Sequence, residues 1–435
     1  MHGYARYLWS ICIASICAGC GVLGGPRDAA PPAIDPQAAM PQAVGGAVAA
    51  YQVIHRFDAA RGGANPATPL LSLDDTLYGT TPDTQPCDPH GCGSGTFYRI
   101  SPNGAKKVLH RFKGGLSDGA MPVGPLIADK GTLYGVTARG GGKGCGRGCG
   151  TVYSMSTNGV EKVLYAFKGG KDGARPTGLV IVGGTLYGTT LYGGGEVSCG
   201  GLGSTSGCGT VYSLTMSGHE KVLYDFAGLP DGAQPNGQPI DVNGVLYGTT
   251  SSGGVACGTR SVHFTLGCGT IYRITTTGSE RVLHRFKGSF SDVIPTGGLL
   301  DVGGKLYGTT ANSLAPGAVY EMGLSGAYTV LYDFKGQPDG ASPNAGLIDV
   351  GGVLYGTTQL GGTICSRTAY FGCGTIFSLT TDGKERVVHR FAGNANGKWP
   401  SAGLTALSDR LYGTTTWGGN SGCDAGCGTV YRAFP

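Results

Sequence analysis

Charged residues are scarce in this 435-residue sequence, since Asp, Glu, Lys and Arg together make up only 14% of it. The net charge is +5, and the basic residues are scattered instead of forming a run that could follow a phosphate backbone. We therefore expect no nucleic-acid partner. The sequence also lacks a nucleophile elbow, a zinc-protease motif, a phosphate loop and a dinucleotide fingerprint among its 84 glycines, and we expect no cofactor.

The apolar stretch near the N-terminus, residues 7–18, is too short to cross a bilayer and is placed like a signal peptide. It ends in Cys17-Ala-Gly-Cys20, which is similar to the lipobox of bacterial lipoproteins, where Cys20 would be lipidated. Cys17 stands where a lipobox usually has Leu, so ordinary signal cleavage is an open alternative. The predicted organisation is a signal peptide over 1–20, a flexible Pro/Ala/Gly-rich tether over 21–50 and a folded domain over 51–435.

The tripeptide Leu-Tyr-Gly organises the folded domain. It recurs seven times, beginning at Leu77, Leu133, Leu186, Leu246, Leu306, Leu354 and Leu411. Each copy contains four short runs rich in Val, Leu, Tyr, Thr and Phe, bounded by Gly, Asn and Asp, a pattern typical of β-strands. Seven copies of a four-stranded antiparallel unit predict an all-β fold, a seven-bladed β-propeller.

The two ends of the domain complement each other. The last copy has only three runs and ends with Gly428-Thr-Val-Tyr-Arg-Ala-Phe, whereas the first run, Val53-Ile-His-Arg-Phe, matches a fourth run with no first three before it. We therefore predict a ring closed by an N-terminal strand that completes the last blade. We expect such a closed ring to be monomeric.

Three motifs carry a resemblance to a known family. Leu186-Tyr-Gly-Thr-Thr, Gly207-Cys-Gly-Thr-Val-Tyr and Val222-Leu-Tyr-Asp-Phe resemble the GloVer (Gloeo/Verruco) tandem repeat of exported, surface-anchored bacterial proteins. The resemblance extends over about residues 51–435 and recurs seven times. It implies export and surface anchoring, and it brings no catalytic residues with it.

Twelve cysteines lie in the repeats, two in each loop between the second and third runs, except in the fifth copy, which has neither. Loss of both together indicates that they act as a pair, and an exported protein favours disulfides. Zinc needs about four converging ligands, which two cysteines per blade do not supply. The predicted disulfides are Cys87–Cys92, Cys145–Cys149, Cys199–Cys208, Cys257–Cys268, Cys365–Cys373 and Cys423–Cys427.

The loops after the second and fourth runs fall on one face of the propeller, which we call the long-loop face. It carries the cysteine loops and the connections that contain Asp-Gly-Ala at Asp118, Asp172, Asp231 and Asp339, which we interpret as turns. Aromatic residues on this face are candidate contacts for a glycan or a surface protein, with loop packing as the alternative. These residues are Tyr192, Phe264, Tyr370, Phe371, Trp399 and Trp417.

Two further sets invite a metal interpretation. The histidines at positions 55, 110, 284 and 389 share one place in the fourth run, predicted as the outer strand, where residues of different blades should point apart. We therefore assign them a packing role. Asp241, Asp301 and Asp349 occupy matching places in the first run and are weak candidates for a hard cation near the central channel. Each precedes a tight turn, so solvated side chains are the favoured interpretation, and we expect no metal.

The resulting hypothesis is an exported, lipid-anchored propeller that acts as a cell-surface binding or structural module. Its membrane contact would be the lipid alone, at the cell envelope, outer membrane or surface; a periplasmic or secreted protein is the alternative. A hydrolase or lyase acting on polysaccharide is the alternative function and would need two converging carboxylates. The loop carboxylates are few and scattered, which favours the non-enzyme. They are Asp83, Asp88, Glu196 and Asp424.

Overall fold

The computed structural model describes residues 50–82, 94–142, 144–195, 199, 207–257, 267–288, 294–311, 316–365, 372–419, 423 and 425–435. The chain from Tyr51 to Pro435 forms one compact unit. Its main feature is a set of seven four-stranded antiparallel sheets, which are the blades. Cys20 and the predicted signal peptide and tether lie outside the described residues. In the described part of the chain, no helix has the length and apolarity needed to cross a membrane.

Each blade contains four consecutive strands in the order in which they follow along the chain, except that the seventh blade takes its fourth strand from the N-terminus. The strands of blades 1 to 3 are β2 (Leu71–Leu73), β3 (Thr76–Thr81), β4 (Thr96–Ile100), β5 (Lys106–Arg111); β6 (Gly119–Asp129), β7 (Thr132–Gly140), β8 (Thr151–Ser156), β9 (Glu161–Ala166); β10 (Ala174–Val182), β11 (Thr185–Tyr192), β12 (Thr210–Thr215) and β13 (Glu220–Asp225). Those of blades 4 and 5 are β14 (Gly232–Val242), β15 (Val245–Gly253), β16 (Thr270–Thr275), β17 (Glu280–Arg285); β18 (Pro295–Val302), β19 (Lys305–Thr310), β20 (Ala318–Gly323) and β21 (Tyr328–Asp333).

Blades 6 and 7 depart slightly from this plan. Blade 6 contains β23 (Ile348–Val350), β24 (Val353–Thr358), β26 (Thr375–Thr380) and β27 (Glu385–Arg390), with the short pair β22 (Gly340–Ala341) and β25 (Leu360–Gly361) beside it. Blade 7 contains β28 (Thr405–Leu407), β29 (Arg410–Thr415), β30 (Thr429–Ala433) and β1 (Tyr51–Arg56). Helical turns are short: α1 (Ala59–Gly62) and the 3₁₀ turns Gly170–Asp172 and Asn394–Asn396.

The first strands form the inside of the ring. Each contacts the first strand of the next blade, in the cyclic order β2, β6, β10, β14, β18, β23, β28 and back to β2. The fourth strands are the outer edges of the sheets. Strand β1 pairs antiparallel with β30, from Tyr51 opposite Ala433 to Arg56 opposite Thr429. The predicted seven-bladed propeller and its closure by the N-terminal strand are therefore confirmed.

The repeated motifs supply the contacts between blades. The buried Phe at the end of each fourth strand meets the buried aromatic ring of the third strand in the next blade edge to face, with centroids 5.0–5.9 Å apart. Phe226 and Tyr272 are one such pair, at 5.1 Å. The third-strand ring also explains the glycine of Leu-Tyr-Gly, because a Cβ on Gly188 would lie only 2.6 Å from Cζ of Tyr212. The same two contacts thus fix the strands within a blade and each blade against its neighbour.

Candidate functional site

The cysteine loops of the long-loop face contain disulfides in the described part of the chain. Five of the predicted pairs are joined, with Cα atoms 4.8–5.8 Å apart, within the usual range for a disulfide. The sixth predicted pair, Cys87 with Cys92, lies outside the described residues. The disulfides join cysteines that are four to eleven residues apart in the sequence. The second cysteine lies beside the first strand of the next blade, since the carbonyl of Cys149 accepts the N–H of Arg175 at 2.7 Å.

One position next to these loops differs in every blade. A proline lies within each first strand or a few residues before it, and the residue that precedes this proline is Asn65, Met121, Arg175, Gln234, Ile294, Ser342 or Trp399. The proline itself packs against the glycine just before the third strand of the preceding blade, as Pro235 does against Gly209. The invariant proline thus belongs to the scaffold, while the residue before it is set by something other than the repeat.

The backbone at this position is strained. Six of the seven residues have a positive φ of 54–59°, a region that side chains other than Gly rarely adopt, and a following proline restricts them further. Each of the six donates its backbone N–H to a backbone carbonyl at the end of the cysteine loop, or the equivalent loop, of the preceding blade. The N–H of Trp399, for example, donates to the carbonyl of Cys373 at 2.9 Å. Ile294 directly follows residues outside the described part. A backbone hydrogen bond to the preceding blade therefore holds the strained residue at the interface between two blades.

A second variable residue lies beside this position in the five blades in which the structure describes it. It is the sixth residue after the Leu of Leu-Tyr-Gly, at the end of the second strand, and its described members are Arg139, Tyr192, Ser252, Leu360 and Trp417. Strand register places it opposite the residue just before the strained position, as Tyr192 lies opposite Ala174 and Trp417 opposite Lys398. We call the residue before the proline, together with this second variable residue of the same blade, a variable pair.

The variable pairs make direct contacts in two blades. In blade 3 the guanidinium of Arg175 lies 5.4 Å from the ring centroid of Tyr192, a cation–π geometry, and burial lowers the pKa of Arg175. In blade 4 the hydroxyl of Ser252 donates to Oε1 of Gln234 at 3.0 Å, while Nε2 of Gln234 donates to the carbonyl of Cys199 at 3.1 Å. All four side chains remain partly exposed, so they form the surface beside the cysteine loops.

Blade 7 brings the two predicted tryptophans together. Lys398 and Trp417 exchange backbone hydrogen bonds at 2.9 and 3.2 Å in a β-bridge outside the named strands, which places Trp399 and Trp417 on adjacent segments of the chain. Both indoles are partly exposed, and Nε1 of Trp399 donates to the carbonyl of Gly372 at 3.4 Å. The ammonium of Lys398 lies 5.8 Å from the ring centroid of Trp399. This corner of the long-loop face therefore offers aromatic surface together with a positive charge.

Other predicted residues lie elsewhere or outside the described part. Phe264, Tyr370 and Phe371 lie outside the described residues, as do the four loop carboxylates. The weak cation candidates are exposed at the opposite ends of the inner strands, where Asp301 accepts the N–H of Gly304 at 3.1 Å. The exposed cation candidates are Asp241, Asp301 and Asp349.

The shared fourth-strand position corrects one expectation. Its side chains pack edge to face on the Phe two residues later, as His284 does on Phe286, which agrees with the packing role expected for the histidines. They do not point away from other blades, however: His284 stacks on Tyr328 at 4.1 Å, and His389 stacks on Tyr51 at 3.8 Å. The blades are twisted, so the outer strand of one blade begins where the outer strand of the previous blade ends, which brings these residues into contact.

The Asp-Gly-Ala aspartates take part in these outer contacts. Each accepts the backbone N–H of a residue four or five positions earlier, which confirms the turn role. In three blades each also accepts the hydroxyl of the fourth-strand tyrosine, at 2.9 Å for Tyr224 and Asp231. A glutamate from the fourth strand of the next blade lies beside each tyrosine and aspartate. Burial, together with the nearby aspartate, raises the pKa of Glu220 and of Glu280 to about 7.

The family model of the Gloeobacter/Verrucomicrobia repeat matches residues 44–202 and 253–435. The chain belongs to this repeat family. The match covers most of the propeller, in agreement with the seven recurrences of Leu-Tyr-Gly. No curated protein matches the sequence.

Solved structures with a similar fold include several at low identity. A puromycin hydrolase is 14% identical with a TM-score of 0.49, and the match covers 82% of this chain and 50% of that one. A gluconolactonase from Xanthomonas campestris is 15% identical with a TM-score of 0.42, over 86% and 98% of the two chains. TolB from Acinetobacter baumannii is 16% identical with a TM-score of 0.37, over 67% and 59%. This chain thus spans half the length of the puromycin hydrolase.

Proposed function

We propose that this protein is an exported, lipid-anchored binding module of the bacterial cell envelope, and that the variable pairs on its long-loop face contact the ligand. The ligand is a glycan or a surface protein. The rigid ring of blades holds the pairs in fixed positions, and the disulfides brace the loops next to them.

One observation carries this proposal: six different non-glycine residues occupy the strained position before the proline. A left-handed backbone costs a residue with a Cβ on the order of 1 kcal/mol, whereas glycine adopts it freely. If the position served only as a turn, glycine would suit all six of these blades, in a chain that contains 84 glycines. The presence of Met, Arg, Gln and Trp there indicates that the side chains themselves are used.

Export has its own support. Disulfides persist in oxidising compartments, and five are formed in the described part of the chain. Attachment through Cys20 is tested by expressing the full chain in a bacterial host with an alkyne fatty acid and detecting label on the purified protein. Labelling that disappears in Cys20→Ser supports the anchor. An unlabelled protein released from the cells would show that the signal peptide is simply cleaved.

Binding is tested on arrays of bacterial polysaccharides and of envelope proteins, comparing the wild type with Trp399→Gly and Trp417→Ala. We expect at least a tenfold loss of affinity in each variant, because aromatic side chains dominate such contacts. Leu229→Ala, which removes an exposed apolar side chain from the connection between blades 3 and 4, is the control, since Leu229 belongs to no variable pair. A ligand bound equally well by all four proteins would contradict the assignment of the site.

A further inference from the structure

Four of the outer junctions between blades share a three-residue design. A fourth-strand residue of one blade, the aspartate of the following Asp-Gly-Ala and the glutamate that opens the next blade's fourth strand come together. At three junctions the fourth-strand residue is tyrosine, and these are Tyr165–Asp172–Glu220, Tyr224–Asp231–Glu280 and Tyr332–Asp339–Glu385. The junction of blades 1 and 2 has histidine instead, as His110–Asp118–Glu161.

The histidine junction differs from the others in its hydrogen bonding. A tyrosine hydroxyl donates to the aspartate at the sister junctions, for example at 3.0 Å from Tyr332 to Asp339. Nε2 of His110 lies 3.5 Å from Oδ2 of Asp118 and makes no hydrogen bond, although it is buried. Oδ1 of Asp118 and Oε1 of Glu161 are buried without a partner, as are Oδ1 of Asp231 and Oε1 of Glu220, Glu280 and Glu385 at the sister junctions, so the histidine nitrogen is what sets this junction apart. The junction of blades 1 and 2 thus holds a buried imidazole nitrogen without a hydrogen bond beside two carboxylates that each have a buried oxygen without a partner.

Burial and convergence make this arrangement costly as it stands. Asp118 is 7% exposed, and the imidazole nitrogen and the two carboxylate oxygens all lie within 4.8 Å of one another. Among the residues that the structure describes, this is the one group of three His, Cys, Asp or Glu side chains found to converge in this way. Oδ2 of Asp118 accepts the N–H of Lys113 at 2.8 Å, which holds the carboxylate in place toward the other two groups.

We propose that His110, Asp118 and Glu161 bind a divalent transition-metal ion of the zinc class and so join blades 1 and 2. Zinc binds imidazole nitrogen and carboxylate oxygen at about 2.0–2.2 Å, which places neighbouring ligand atoms roughly 3.4 Å apart in a tetrahedral site. The distance of 3.5 Å between His110 and Asp118 fits this spacing. Two carboxylates offset the charge of the ion, and a water molecule would be the fourth ligand. Calcium is disfavoured because it takes oxygen ligands and has no use for the imidazole.

The sister junctions provide a matched control variant. His110→Tyr converts the site into the form found at Tyr165, Tyr224 and Tyr332, so it should fold while losing the only nitrogen ligand of the group. Purified, chelator-treated protein is titrated with ZnCl₂ alone by calorimetry, and its melting temperature is followed with and without zinc. Glu161→Gln is the second variant, since it retains the shape of the side chain but removes a ligand charge.

We expect one zinc ion per wild-type chain and a higher melting temperature with zinc. His110→Tyr should melt at a similar temperature to the zinc-free wild type, bind zinc at least a hundredfold more weakly and show no shift. Glu161→Gln should weaken binding at least tenfold. Equal zinc affinity in the wild type and His110→Tyr would overturn the proposal, and so would a wild type that binds no zinc at 100-fold excess over protein.

Discussion

The contacts between the third and fourth strands of neighbouring blades repeat almost unchanged around the ring, whereas the variable pairs near the first and second strands differ in every blade. All seven interfaces use a fourth-strand Phe against a third-strand Tyr or Phe. The residues before the seven prolines, by contrast, are all different. A residue that recurs in all blades answers a geometric need common to all blades. A residue that differs in all of them, on a backbone that disfavours it, answers a need outside the fold.

The largest expected effect comes from breaking the repeated interface. Tyr212→Ala removes a fully buried ring that packs on Phe167 of blade 2 at 5.1 Å and fills the space beside Gly188. We expect a loss of about 3–5 kcal/mol in the free energy of unfolding, measured by urea denaturation. Tyr192→Ala, at a partly exposed variable pair, is the control and should cost about 1 kcal/mol or less. Similar losses in the two variants would erase the distinction between scaffold and variable positions.

A smaller effect is expected from the disulfide of blade 2. Replacing Cys145 and Cys149 together by Ser should lower the free energy of unfolding by about 2 kcal/mol, because the reduced unfolded chain gains the freedom that this short loop denies it. Each single substitution should cost at least as much as the double one, since either breaks the bond. Unchanged urea midpoints in all three variants would show that the bond does not brace the loop.

The outer junctions predict a dependence on pH. The pKa of Glu220 is about 7 in the folded protein, against a usual 4.5, because Glu220 is partly buried and faces Asp172, with Tyr165 and Lys168 nearby. Between pH 4.5 and 7 the folded protein retains a proton that the unfolded chain has lost, so stability falls as pH rises through this window. Glu220→Gln should therefore reduce the fall in melting temperature between pH 5 and pH 8.

The matched control for that experiment is Asp241→Asn, which removes an exposed carboxylate from the inner strand of blade 4. It should leave the slope of melting temperature against pH as in the wild type. If Glu220→Gln has the same slope as the wild type, the raised pKa is not a source of the pH dependence.

The scaffold could be predicted from the sequence because its evidence is repeated. Seven copies of Leu-Tyr-Gly, a missing fourth run at one end and a spare one at the other determine the blade number and the closure. Cysteines that are present or absent together in each copy of the repeat predict the disulfides. Patterns of this kind follow from the alternation of side chains along a strand, and they can be recognised wherever the boundaries of the repeat are drawn.

The variable pairs and outer junctions could be predicted only in part. Tyr192, Trp399 and Trp417 stand out as aromatic residues, but Arg175 and Gln234 do not, because a positive φ depends on the neighbouring blade. Aligning the seven copies on their prolines would have exposed this position. The outer groups were missed because their members come from two blades, and strand twist, which the sequence does not display, decides which residues meet.

The central claim is that the partly exposed side chains before the prolines, those of Met121, Arg175, Gln234 and Trp399, serve binding and not folding. The most direct measurement combines Met121→Gly, Arg175→Gly, Gln234→Gly and Trp399→Gly in one chain, and compares its urea unfolding and array binding with those of the wild type. Relief of backbone strain should keep the free energy of unfolding within about 2 kcal/mol of the wild type or raise it, while binding is lost. A variant that unfolds far more easily, or one that binds its ligand like the wild type, would contradict the claim.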